Sequence, residues 1–252
     1  MRRLVRAPVA SLLREVTLFP GDEPWSRSIE ELSALPHPEV LSSLKLDASQ
    51  LDLADGEWDA GDFGELWHCF PSLRELFISG TSIALGNIGA LSQLRTFSRV
   101  GCAPSGDELE QLASLQRLEA LELGFRPPAR GDELRLFPSV LVAPMKKALK
   151  LPLRALCLRD VELTTQLLAT LFESPAFRTL RTLDLGDCEV DDECAEYLRD
   201  EKAALAKLEH VSSPTFPLEE FGDRFDDDGF RNRGEAVLRG KNLVDDAWSL
   251  RT

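Results

Sequence analysis

The sequence predicts an α/β solenoid, in which short parallel strands stack along one axis and helices or loops return the chain on the other side. Three observations predict it. An apolar template recurs eight times along the chain. Within each copy two of its positions are two residues apart, as a strand with one buried face requires. Between copies the apolar spacing becomes that of a helix. The bulk composition agrees. The chain has 252 residues, 43% of them hydrophobic, enough for a sizeable core and too apolar for wholesale disorder.

The clearest copy of the template is Leu180-Arg-Thr-Leu183-Asp-Leu185-Gly-Asp-Cys188-Glu-Val190, with apolar side chains at offsets 0, 3, 5, 8 and 10. Further copies start at Leu13, Leu41, Leu73, Leu94, Leu118, Leu153 and Leu208, with a mean step of about 28 residues. At offsets 0, 3 and 5 the eight copies supply 24 positions, and only Arg99 and Ser213 are not apolar. At this composition chance would fill roughly ten of them, so the pattern is a repeat. Offset 8 turns the chain inward, where a small hydrogen-bonding side chain satisfies turn backbone groups. Cys102 and Cys188 have that character, and Ser49 and Thr81 are plausible substitutes. Gly21, Arg126, Val161 and Phe216 depart from it.

This pattern resembles the leucine-rich repeat family, LxxLxLxxN/CxL with a period of about 20–29. The resemblance covers residues 13–218 and implies a curved leucine-rich-repeat solenoid, strands on the concave face and helices and loops on the convex one. Repeats near 28 with helical returns are similar to the ribonuclease-inhibitor-like branch, in an irregular, bacterial-looking cytoplasmic form. No copy has the family's usual Asn. The family serves inhibitors, adaptors, receptors and scaffolds alike, so the motif speaks for fold more than for function.

Helical returns are expected at Ser28–Leu35, Gly61–Phe70, Gly106–Leu118, Thr164–Phe172 and Asp191–Leu198, the last continuing through Ala204 to Leu208. Thr164 is placed to cap its helix, and acidic residues open the one at Asp191. The 21-residue step from Leu73 to Leu94 leaves room only for a short helix or turn around Asn87–Leu91. The 35-residue step from Leu118 to Leu153 holds an insertion from Arg126 to Leu151. Residues 3–12 read as a helical half-repeat, so the solenoid is expected over 1–218. Beyond it, 219–252 read as a C-terminal cap and an acidic, mobile tail. The half-repeat also raises the alternative that this is the structural or regulatory C-terminal module of a larger protein, with no partner of its own.

The exposed strand positions define the candidate site. At offset 4 they include Phe77, Lys45, Ser98, Glu122, Cys157 and Asp184; at offset 6 they include Phe19, Asp47, Ser79, Val100 and Arg159. Eight strands about 4.8 Å apart make a face roughly 34 Å long, which suits a protein partner better than a small metabolite. Aromatic and arginine side chains on such a face favour interface contacts. The expected function is therefore non-catalytic recognition of an unidentified partner protein. No small-molecule substrate is expected. With 43 acidic against 29 basic residues and a net charge of −14, neither nucleic acid nor a membrane surface is an expected partner.

Nothing in the sequence carries recognisable enzyme chemistry. GxxxxGK[ST], GxSxG, HExxH and GxGxxG are absent. His37 falls in a Pro-flanked turn, His210 on the last strand, and His68 beside Cys69 on a helix, where adjacent residues face apart. Asp226-Asp227-Asp228-Gly229 opens like a calcium loop, but position 12 is Val237 instead of Glu. Trp58 and Trp67 read as packing residues. No metal or cofactor is expected. Five cysteines without a CxxC pair fit a reducing cytoplasm.

Overall fold

The apolar residue at template offset 3 faces its counterpart on the next strand through the whole array: Val16, Leu44, Leu76, Phe97, Leu121, Leu156, Leu183 and Val211 pair in that order. The computed structural model describes residues 13–19, 25–35, 37–48, 59–64, 66–80, 82–101, 106–125, 145–146 and 148–212. Its strands are β1 (Glu15–Leu18), β2 (Ser43–Leu46), β3 (Asp59–Asp62), β4 (Glu75–Gly80) and β5 (Ser82–Ala84), then β6 (Thr96–Gly101), β7 (Ala120–Phe125), β8 (Ala155–Glu162), β9 (Thr182–Glu189) and β10 (His210–Ser212). Eight form one parallel sheet in the order β1-β2-β4-β6-β7-β8-β9-β10. Each belongs to one template copy. A one-residue slip would turn every leucine of a strand out to solvent, so the alternating pattern specifies the register.

A backbone device repeats with the strands. The carbonyl at template offset 1 accepts two N–H groups from the following copy: Arg14 O from Ser42 and Ser43, Arg95 O from Glu119 and Ala120, Arg154 O from Arg181 and Thr182, at 2.7–3.0 Å. The offset-1 residues therefore stand in a row along the edge where the strands begin.

Behind the sheet one apolar cluster runs from Val16 to Leu208 without a break. Helix α1 (Trp25–Ser33) turns Trp25, Ile29 and Leu32 into it, at i, i+4 and i+7 spacing. Helix α2 spans Gly106–Leu112. Helix α3 (Thr165–Phe172) starts at Thr164, whose hydroxyl accepts the Leu167 N–H at 3.2 Å. Helix α4 (Asp192–Asp200) starts at Asp191, whose carboxylate accepts the Cys194 N–H at 2.7 Å; α5 (Lys202–Leu205) follows. Residues 88–90 make only a 3-10 turn, as the short repeat requires.

Two expectations are corrected. Gly61–Phe70 is not a helix. Gly61 and Asp62 end β3, which pairs in parallel with β5 as a separate two-stranded sheet, and only Leu66–Cys69 wind into a 3-10 turn. Gly61 and Gly64 have φ of 88° and 45°, conformations that glycine adopts without the Cβ clash of other residues and that break a helix. Helix α2 also stops at Leu112, six residues short of Leu118. At offset 8, Cys188 is buried and its thiol donates to the Leu158 carbonyl at 3.2 Å. The other offset-8 positions apart from Val161 lie outside the described residues, as do the half-repeat, Trp58, most of the insertion, and everything after Ser212. The insertion does not disturb the ladder: Leu121 and Leu156, on either side of it, are in register.

Candidate functional site

Side chains at offsets 4 and 6 point away from the apolar spine, onto the open face of the sheet. In the middle of that face five candidate residues meet. Ser98, Glu122, Cys157 and Asp184 occupy one register row across β6, β7, β8 and β9. The Ser98 hydroxyl donates to Glu122 Oε2 at 2.6 Å. Arg159 reaches back from β8 and donates its Nε–H to Glu122 Oε1 at 2.7 Å, while its Nη2 lies 3.9 Å from Asp184 Oδ2. The Cys157 thiol sits between the carboxylates, 3.6 Å from Asp184 Oδ2 and 3.9 Å from Glu122 Oε1. Asp184 Oδ1 also accepts the Gly186 N–H at 3.0 Å.

The group is well packed for an exposed strand face. Ser98 and Cys157 are 0% and 1% accessible. Two carboxylates share one guanidinium, leaving one surplus negative charge. Burial, then the Asp184 and Glu122 charges, push the Cys157 thiol well above its ordinary range. Burial opposes the charge on Arg159, but the Glu122 and Asp184 carboxylates favour it and the guanidinium stays protonated. Cys157 is thus a protonated, occluded thiol and a poor nucleophile. Iodoacetamide at mildly alkaline pH is expected to modify the half-buried Cys69 in the folded chain and to reach Cys157 only after denaturation. Peptide mass mapping checks this, and rapid native labelling of Cys157 would contradict the closed geometry.

A second group adjoins it, since Phe77 on β4 pairs with Ser98 and Lys45 on β2 pairs with Phe77. Lys45 Nζ is 3.0 Å from Asp47 Oδ2 and 4.9 Å from the centre of the Phe77 ring, a salt bridge and a cation–π contact from one ammonium. Ser79 Oγ accepts the Ala48 N–H at 2.7 Å. Val100 is half-buried between the groups. Phe19, 56% exposed after β1, joins neither.

Two features lie outside the candidate positions at offsets 4 and 6. Arg99 stands at a core position where the template calls for leucine, and is 1% accessible. Its Nη1 donates to Glu108 Oε2 at 2.8 Å and its Nη2 to the Ile83 carbonyl at 3.1 Å; Glu108 Oε1 accepts the Leu85 N–H at 2.8 Å. The break in the pattern marked Arg99, but nothing local pointed to its partner on the next helix. The second feature is a cluster of arginines along the edge where the strands begin, visible only when offset 1 is compared across copies.

His37, His68 and His210 are exposed and lie on separate repeats. Trp67 is buried against Phe63 and donates its indole N–H to the Leu85 carbonyl. Among the described residues no three His, Cys, Asp or Glu side chains are gathered to hold a metal ion, and no helix is long and apolar enough to cross a membrane.

The continuous parallel ladder, the single spine and the helical returns define the chain as an α/β leucine-rich-repeat solenoid. No protein-family model matches it, and no curated protein does. Among solved structures it is similar to a protein from Bacteroides fragilis, with a TM-score of 0.62 and 18% identity over 84% of this chain and 62% of that one. An internalin from Listeria monocytogenes aligns with a TM-score of 0.39 and 15% identity, over 85% of this chain and 66% of the other. Human 5T4, the trophoblast glycoprotein, aligns with a TM-score of 0.42 and 18% identity, over 82% and 80%. The chain thus spans less than two thirds of the first two proteins.

Proposed function

We propose that this chain is a non-catalytic module that binds a partner protein through the open, concave strand face. The observation that carries the reading is the central cluster. Ser98, Glu122, Cys157, Arg159 and Asp184 are locked by hydrogen bonds into a rigid patch with one unmatched negative charge, beside the Lys45–Phe77 pair. Such a patch loses little side-chain entropy on binding, and its surplus charge favours a basic side chain on the partner. Ser79, Val100, Asp47 and Phe19 extend the surface toward β1. The occluded thiol and the scattered histidines support the absence of catalysis. Four described cysteines are free thiols, which supports a reducing cytoplasmic setting. Helical returns at α3 and α4 support the ribonuclease-inhibitor-like branch.

Affinity capture from lysate, read by quantitative mass spectrometry, tests it with wild type and the Phe77→Ala/Arg159→Ala variant. A protein held by the wild type and lost by the variant supports the face. Equal capture by both removes these residues from the interface. Capture of nothing by the wild type favours a structural module without a partner of its own.

A further inference from the structure

The edge where the strands begin carries a surface of opposite charge to the rest of the chain. Five of the eight copies have arginine at template offset 1: Arg14, Arg74, Arg95, Arg154 and Arg181. With 29 Lys and Arg in 252 residues, about one basic residue in eight is expected by chance. The repeated carbonyl device holds these residues in a row. Between β6 and β9 the row becomes a groove of about 660 Å3, lined by Arg95, Arg117, Arg154, Arg178 and Arg181 with a single acid, Glu119.

Some of this charge is neutralised within the chain. Arg95 Nη1 is 3.4 Å from Glu119, and Arg181 Nη1 is 3.2 Å from Glu209; Arg117 bonds Gln93. Arg154 and Arg178 are exposed and have no side-chain partner among the described residues. In a chain of net charge −14 this is a concentrated basic strip, and its mutual repulsion is relieved by an anionic occupant.

We infer that this groove binds a short acidic peptide segment of a partner protein, its Asp and Glu carboxylates engaged by the guanidinium forks of Arg154 and Arg178. Guanidinium and carboxylate match in a planar, two-bond geometry. Arg95, Arg154 and Arg181 immediately precede β6, β8 and β9, a row and not the cluster around one point that a single phosphate favours. They are spread over three strand spacings, roughly 14 Å, which four or five residues of extended chain cover. A nucleic acid carries its charge well beyond the groove, where the net negative field of the chain opposes it. This surface lies on the edge of the sheet, separate from the open face, so either can fail without the other.

Fluorescence anisotropy with the full chain tests it, using a dye-labelled Asp/Glu-rich octapeptide, its Asn/Gln counterpart and a single-stranded oligonucleotide of equal charge. The acidic peptide is expected to bind, more weakly as salt rises, and about tenfold more weakly to the Arg154→Glu/Arg178→Glu variant. Binding is expected to be unchanged in Arg14→Glu, at the same template position but outside the groove, and in Phe77→Ala/Arg159→Ala. Arg154→Gln/Arg178→Gln, which removes charge without adding any, serves if the reversal disturbs folding, and is expected to weaken binding in the same direction. No binding by the wild type, equal binding of the Asn/Gln peptide, an unaffected groove variant, or tighter binding of the oligonucleotide would each overturn the inference.

Discussion

Replacing Arg99 by alanine is expected to lower the folding stability by about 3–5 kcal/mol, the range for breaking a buried ion pair from one side. The guanidinium is 1% accessible, and its partner Glu108 is 12% accessible. Alanine would strip the guanidinium from the Glu108 carboxylate and remove the Arg99 donor from the Ile83 carbonyl. It would also open a void where β6 meets β5 and helix α2. Urea unfolding followed by circular dichroism measures the loss. The Arg99→Met/Glu108→Gln double variant should recover much of it, because a flexible apolar chain fills the space and no charge is left behind. A loss below about 1 kcal/mol in the single variant would show the pair to be solvated.

Leu156→Ala is expected to cost about 2–5 kcal/mol, the measured span for buried leucine truncations. Leu156 is 0% accessible and lies between Leu121 and Leu183 on the two adjoining strands. Both of those strands are held by backbone hydrogen bonds on each side, so little can collapse into the gap. Val16→Ala supplies the contrast. Val16 occupies the same template position, is 9% accessible, and has one neighbour in the described ladder, Leu44. Its loss should be near or below about 1.5 kcal/mol, since fewer atoms are removed and the site is less enclosed. Equal losses at the two positions would argue against a spine whose interior rungs are more constrained than its ends.

The ladder was legible in the sequence because its cause is local. Each strand needs only a period-2 pair of apolar residues, and a slip between strands is penalised by every copy at once. The cap at Thr164 was legible for the same reason, since a capping oxygen and its N–H lie three residues apart, and the acidic start at Asp191 marked the next helix. β3 was not. Its sequence, Asp-Ala-Gly-Asp, has no apolar alternation, and its pairing with β5 depends on where Gly61 and Gly64 turn the chain. The strand pattern indicated which side chains would share the open face but not which would bond. Glu122 meets Arg159 37 residues away and Ser98 24 residues away, and nothing in either segment alone selects those partners. The arginine edge escaped because the reading followed the offsets that alternate in and out of the core, whereas offset 1 lies just before the strand.

The unbroken pairing of β7 and β8 has a practical meaning for engineering. Thirty-five residues separate Leu118 from Leu153, against about 28 for the average copy, yet the two strands meet as if the extra length were absent. Chain length there is decoupled from rung geometry, and the entropic penalty for lengthening it further grows only logarithmically, about 0.6 kcal/mol per doubling. This crossover is the natural place to splice in a reporter domain, a protease recognition sequence or an affinity tag while leaving the stack on either side free to fold.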